Sequence, residues 1–93
     1  MGKTARERPD RLAEKLKQIR EGLGLSQNEI LVRLGLEDRL SRTAISGYEL
    51  GTSEPALLTL LKYSRLAGVH MEVLVDDELD LPERMSTTLK KQR

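Results

Sequence analysis

Few residues in this chain could make or break a covalent bond. His70 is the only histidine, cysteine is absent, and no spacing pairs a nucleophile with a base. Asp76, Asp77, Glu78 and Asp80 offer oxygen ligands, but the glycine-turned loop with which such a run wraps a hard cation is missing. A solvated acidic stretch is the expected reading. What stands out instead is LSRTAISGYELG, residues 40–51, in which a helix would turn Arg42, Thr43, Ser46 and Gly47 to one side and Ala44, Ile45 and Tyr48 to the other. Hydrogen-bonding groups aligned on a single helix face suit recognition of a polar surface. No enzymatic activity, cofactor or metal site is expected.

Such a short helix takes its orientation from what it packs against, so the rest of the chain must supply a scaffold. The 93 residues allow one small domain. Leucine makes up about a fifth of them, Phe and Trp are absent, and Tyr48 and Tyr63 are the only aromatics. Aliphatic residues without a β-branched or aromatic excess favour helices, so the expected fold class is all-α, a compact bundle of four to five helices. Without cysteine the core must hold the fold alone. No apolar run is long enough for a membrane span, and MGKTARERPD has no signal-peptide block, which points to a cytoplasmic setting.

The net charge of +1 is unevenly spread. Residues 1–25 hold seven Lys/Arg against four Asp/Glu, whereas residues 26–51 hold three against four. Local fields matter more than the sum when a partner docks on one face. Residues 1–9 read as a basic N-terminal arm, 10–75 as the folded domain, and 76–93 as a polar C-terminal tail in which Pro82, Met85 and Leu89 offer a last short helix.

Within the domain, Leu12, Leu16, Ile19 and Leu23 mark a first helix over Asp10 to Glu21, opposite Glu14, Lys17 and Glu21. SQNE, residues 26–29, is a capping box that starts a second helix with Ile30, Leu31 and Leu34 inward. The third helix, capped by Ser41 or Thr43, ends at Gly51. Pro55 opens a fourth, with Leu57, Leu60, Leu61 and Leu66 as its seam. VHMEVLV, residues 69–75, alternates like a strand but has the length and flanks of a short helix, and helix is the expectation taken forward.

The second and third helices, joined by a turn, form a helix-turn-helix unit. Its physics suits duplex DNA, because a helix fits the major groove and its N-terminal residues reach base edges there. IREGLGLSQNEILVRLG, SRTAISGYELGTSEP and LLTLLKYSRLAGV in that order resemble the lambda-repressor-like, XRE-type helix-turn-helix family of bacterial and phage regulators, over about residues 12–75. The ordered string GLSQ, LG, S-x-x-x-I-S-x-Y-E-x-G and E-P is far more specific than any one piece.

The resemblance implies roles. Gln27 is similar to the family glutamine that grips a phosphate, though a plain first-turn residue is the alternative. Arg42, Thr43, Ser46 and Gly47 take the outward positions of the recognition helix, Thr52 and Ser53 the backbone-contacting loop after it, and Arg20 and Glu49 a structural pair worth under about 1 kcal/mol if partly exposed. Three departures matter. Gly47 stands where relatives place Arg or Lys, at a cost near 1 kcal/mol relative to alanine, with closer approach to a thymine methyl or the groove wall as the offsetting gain. GLEDRLS is about four residues longer than the usual turn and lifts Arg39 into reach of a phosphate, or leaves it as an ordinary loop arginine. Neutral Thr52 and Ser53 weaken the counterion-release contribution, which Lys3, Arg6 and Arg8 of the arm, beside Arg11, would restore through phosphate contacts; a solvated leader that only aids solubility is the alternative.

The function expected is a sequence-specific double-stranded DNA-binding transcriptional regulator, such as a repressor, cytoplasmic and nucleoid-associated when bound to DNA, acting as a homodimer on a palindromic operator through the third helix in the major groove. Met71, Val75, Leu79, Leu81, Met85 and Leu89 are the candidate dimer contacts. The alternative is a protein-interaction module, such as an antitoxin or co-regulator, that binds DNA weakly or only with a protein partner.

Overall fold

A computed structural model describes residues 7–84. Five helices follow one another among the described residues: α1 Leu12–Gly22, α2 Gln27–Arg33, α3 Arg42–Leu50, α4 Leu57–Ala67 and α5 Met71–Val75. The chain is all-α, as its leucine-rich composition implies. No helix among the described residues is long and apolar enough to cross a membrane.

Periodicity explains which faces meet. Leu12, Leu16 and Ile19 of α1 are buried against Ile30 and Leu31 of α2, Ile45 and Tyr48 of α3, Leu60, Tyr63, Leu66 and Ala67 of α4, and Leu74 of α5. The capping box forms with both bonds in place: the Ser26 N–H donates to Glu29 Oε1 at 2.7 Å, and the Glu29 N–H donates to Ser26 Oγ at 3.0 Å. Ser41 stands at the N-cap of α3, but its hydroxyl makes no capping bond, unlike the sequence expectation. Residues 71–75 are helical, and His70 is the exposed residue just ahead of them.

Two expectations about α4 are corrected. Pro55 is buried two residues ahead of the first helical residue, with Ala56 at the N-cap. Leu57 has the phase of the buried stripe but is 74 % exposed, because the first turn of α4 runs past the core; there it lines an open groove with Pro9, Leu12, Pro55, Leu60 and Val75.

Residues 76–81 also depart from the sequence reading of a solvated acidic stretch, because they fold back onto α1. The Asp77 carboxylate accepts the backbone N–H groups of Asp10 (2.8 Å) and Arg11 (3.0 Å), capping a helix whose own N-cap residue, Arg11, offers no side-chain acceptor. These two bonds hold the Asp77 carboxyl below the usual carboxylate range. The Arg11 guanidinium returns the contact, donating to the Asp77 carbonyl at 2.9 Å and pairing with Asp80 at 2.8 Å. Leu81 packs against the edge of the core.

Lys15 completes this junction. Its residue is fully buried within the apolar stripe of α1, and Nζ donates to the carbonyls of Val73 (2.8 Å) and Asp76 (2.9 Å) at the C-terminal end of α5. A helix end leaves carbonyls without intrahelical partners, and a charged donor satisfies them strongly. Lys15→Met keeps the length of the side chain and removes that donor, so the fold should lose about 2 kcal/mol in urea unfolding. An unchanged midpoint would show that the contact contributes nothing net.

Candidate nucleic-acid interface

The interface is built on the α2–α3 pair, and the long connector is the first thing to explain. Gly35 turns the chain with φ +72°, a left-handed conformation suited to glycine. Leu36 then drops into the core, its N–H bonded to the Leu31 carbonyl at 3.1 Å. The N–H groups of Arg39 and Leu40 both bond back to the Leu36 carbonyl at 2.9 Å. The extra residues therefore form one tight turn hung on a buried leucine, with Arg39 exposed on it just ahead of α3.

Helix α3 is oriented by Glu49. The Arg20 guanidinium grips its carboxylate through two bonds, Nε to Oε2 at 2.7 Å and Nη2 to Oε1 at 3.0 Å, and spends Nη1 on the Leu25 carbonyl at 2.9 Å. Gln27 adds a longer contact from Nε2 to Glu49 Oε1 at 3.3 Å. The Glu49 and Arg20 side chains are only 4 % and 15 % exposed. A parallel, bidentate, largely dry pair is worth more than the weak surface pair allowed for in the sequence; removing one partner would strand a buried charge at a cost of about 3–5 kcal/mol. Tyr63 lies beneath, its buried hydroxyl without a hydrogen-bond partner among the described residues and its ionisation pushed up by burial and by the Glu49 charge.

With Ile45 and Tyr48 turned inward, the outer face of α3 presents Arg42 and Thr43, both exposed, and Ser46, partly exposed. Glu49, two turns along the flank that Arg42 starts, is drawn against Arg20 and almost fully buried, leaving Arg42 as the formal charge of that face. Gln27 sits at the first position of α2 and retains a second amide N–H that Glu49 does not engage.

Gly47 has a different neighbour from the one anticipated. Gly51 ends α3 in a left-handed conformation, and the chain curls back so that the Thr52 N–H (3.0 Å), the Ser53 N–H (3.3 Å) and the Thr52 hydroxyl (3.3 Å) all donate to the Gly47 carbonyl. A Cβ on residue 47 would lie 2.7 Å from Ser53 Oγ and 3.4 Å from Thr52 Oγ1. The glycine admits this loop, so close approach of an outside surface is not needed to explain it. Gly47, Thr52 and Ser53 form one unit.

The arm residue Arg8 reaches the same corner, with Nε 3.3 Å from Glu54 Oε2, in a cleft lined also by Tyr48, Gly51, Ser53 and Pro55. Lys3 and Arg6 lie outside the described residues. Sequence reasoning missed Lys15, Asp77, Leu36 and Leu50. A lysine at the phase of the Leu12–Leu16–Ile19 stripe was a readable sign of the first; a leucine at the C-terminal end of the row that Thr43 and Ser46 begin was a sign of the last.

The family model for helix-turn-helix proteins matches residues 16–74, which is more than half of the chain. The protein belongs to this family, of the XRE or lambda-repressor-like kind, and is a DNA-binding regulator in the general sense the family defines. No curated protein and no solved structure matches it.

The Gly47–Ser53 contact has a measurable signature. Alanine at 47 gains about 1 kcal/mol of helix propensity but must turn the Ser53 hydroxyl aside. Gly47→Ala should therefore stabilise the fold by less than that in thermal unfolding, and by the full amount in a Ser53→Ala background. Equal gains in both backgrounds would mean that the two residues do not interact.

Proposed function

We propose that this protein is a sequence-specific transcriptional regulator that lays the exposed face of α3 in the major groove of duplex DNA and binds a palindromic operator as a homodimer. The observation that carries the reading is the clamp of Arg20 and Gln27 on Glu49, which leaves Arg42, Thr43 and Ser46 outward on a helix of fixed orientation. In this reading Arg42 donates two bonds to guanine O6 and N7, Thr43 and Ser46 contact neighbouring edges, and Gln27, Arg39, Thr52 and Ser53 hold phosphates. The arm adds cationic contacts through Lys3, Arg6 and Arg8, the last sitting beside the Ser53 loop. A protein working on DNA in this way acts in the cytoplasm, at the nucleoid.

One module spans few base pairs, so twofold pairing supplies the remaining specificity. Of the apolar contacts suggested by the sequence, Met71 and Leu81 pack against the protein's own core and Leu79 is half-buried, whereas Val75 is exposed. Met85 and Leu89 lie outside the described residues. The groove of Leu57, Val75, Pro9 and Pro55 is the better candidate for the dimer contact. The same exposed apolar surface, with Leu58 71 % exposed beside it, supports the second reading, a module that binds DNA only with a different protein.

Selection of the purified protein on random duplexes at moderate salt separates the two. The proposal expects a palindromic motif, with Arg42→Ala relaxing one guanine position and costing about 1–3 kcal/mol there. A folded protein that enriches no motif would contradict it and favour the partner-dependent module.

A further inference from the structure

The exposed face of α3 carries one residue that hydrogen-bond recognition leaves unused. Leu50 is 74 % exposed. At about 100° per residue, Thr43, Ser46 and Leu50 form one row along the helix, opposite the buried Ile45 and Tyr48. Leu50 thus continues the proposed DNA face at its C-terminal end. An isolated exposed apolar side chain is ordinary on most of a protein surface, as Val32 illustrates. On this face its neighbours make it different. Ser46 has a short side chain, Gly47 has none, and the returning loop offers only the hydroxyls of Thr52 and Ser53. The face therefore has two long side chains, Arg42 at one end and Leu50 at the other, with a low middle between them.

A low middle lets the helix lie deep, and its two ends then meet different chemistry. Arg42 meets hydrogen-bond acceptors. A leucine can gain only from apolar surface, and the major groove has a single apolar group on its base edges, the C5-methyl of thymine. We propose that Leu50 is a specificity-determining residue that packs against a thymine methyl at the C-terminal end of the α3 footprint. This rests on the reading of α3 as the groove-bound helix. Thr43 and Leu50 are about 10 Å apart along the helix axis, so the thymine is separated along the groove from the base pair beside Thr43.

The test uses the full chain and the duplex recovered by random selection, with each thymine replaced in turn by deoxyuridine, which lacks the methyl and keeps every hydrogen-bonding group. Loss of one buried methyl should weaken wild-type binding about fourfold per contact at one thymine. Leu50→Ala should bind the thymine and deoxyuridine duplexes equally at that position, keep its preference elsewhere in the motif, and melt like the wild type, since the side chain is exposed. Indifference of the wild type to every deoxyuridine, or the same sensitivity in Leu50→Ala, would overturn the inference while leaving the groove-bound helix intact. Uniform weakening of Leu50→Ala on all duplexes, with dissociation of the dimer in sedimentation, would also overturn it and assign Leu50 to a contact between protein copies. A wild-type protein that enriches no motif would sink both readings before Leu50 is altered.

Discussion

A carboxylate on a helix that faces a polyanion is a liability unless it is neutralised and turned away, and the Glu49 side chain meets both conditions at once. Its two oxygens are taken by Arg20 from α1 and one is shared with Gln27 from α2, so a single group on α3 records the positions of two other helices. The pair is nearly dry, which makes its geometry strict: any tilt of α3 that lengthens one bond exposes an imperfectly paired charge to a medium that solvates it poorly. Arg20 also holds the Leu25 carbonyl in the turn before α2. The orientation of the whole helix-turn-helix unit thus depends on one guanidinium.

Helix α1 serves as the common support at both of its ends. Near its C-terminal end Arg20 fixes α3; near its N-terminal end Arg11 and Lys15 bind the segment from Val73 to Asp80. The exchange is reciprocal, because Asp77 in turn caps the first turn of α1. Residues 76–81 accordingly belong to the packed structure. Their contacts lie away from α3, leaving its exposed face clear while stiffening the helix that holds it.

Much of this was legible in the sequence. The leucine period located α1, the box at Ser26–Glu29 started α2, and the glycine at 51 ended α3 in a left-handed turn, so helix order followed from local signals. The pairing of Arg20 with Glu49 came through the resemblance, since 29 residues separate them and no periodicity connects them. What local signals could not supply were contacts distant in sequence. Asp77 reads as one acid among four until Asp10 and Arg11 are beside it, and Gly47 reads as room for a ligand until Ser53 occupies the space. Leu57 shows the complementary failure, where the phase is right but the helix has passed the end of the core.

The central claim is that DNA meets the face of α3 left outward by the clamp. The most direct measurement is a backbone amide chemical-shift map of the protein titrated with its selected duplex. The account predicts the largest changes at Arg42, Thr43, Ser46 and Leu50, with Gln27, Thr52 and Ser53 next and the Arg20–Glu49 pair unmoved. Changes centred instead on the exposed first turn of α4, at Leu57 and Leu58, with α3 silent, would contradict it.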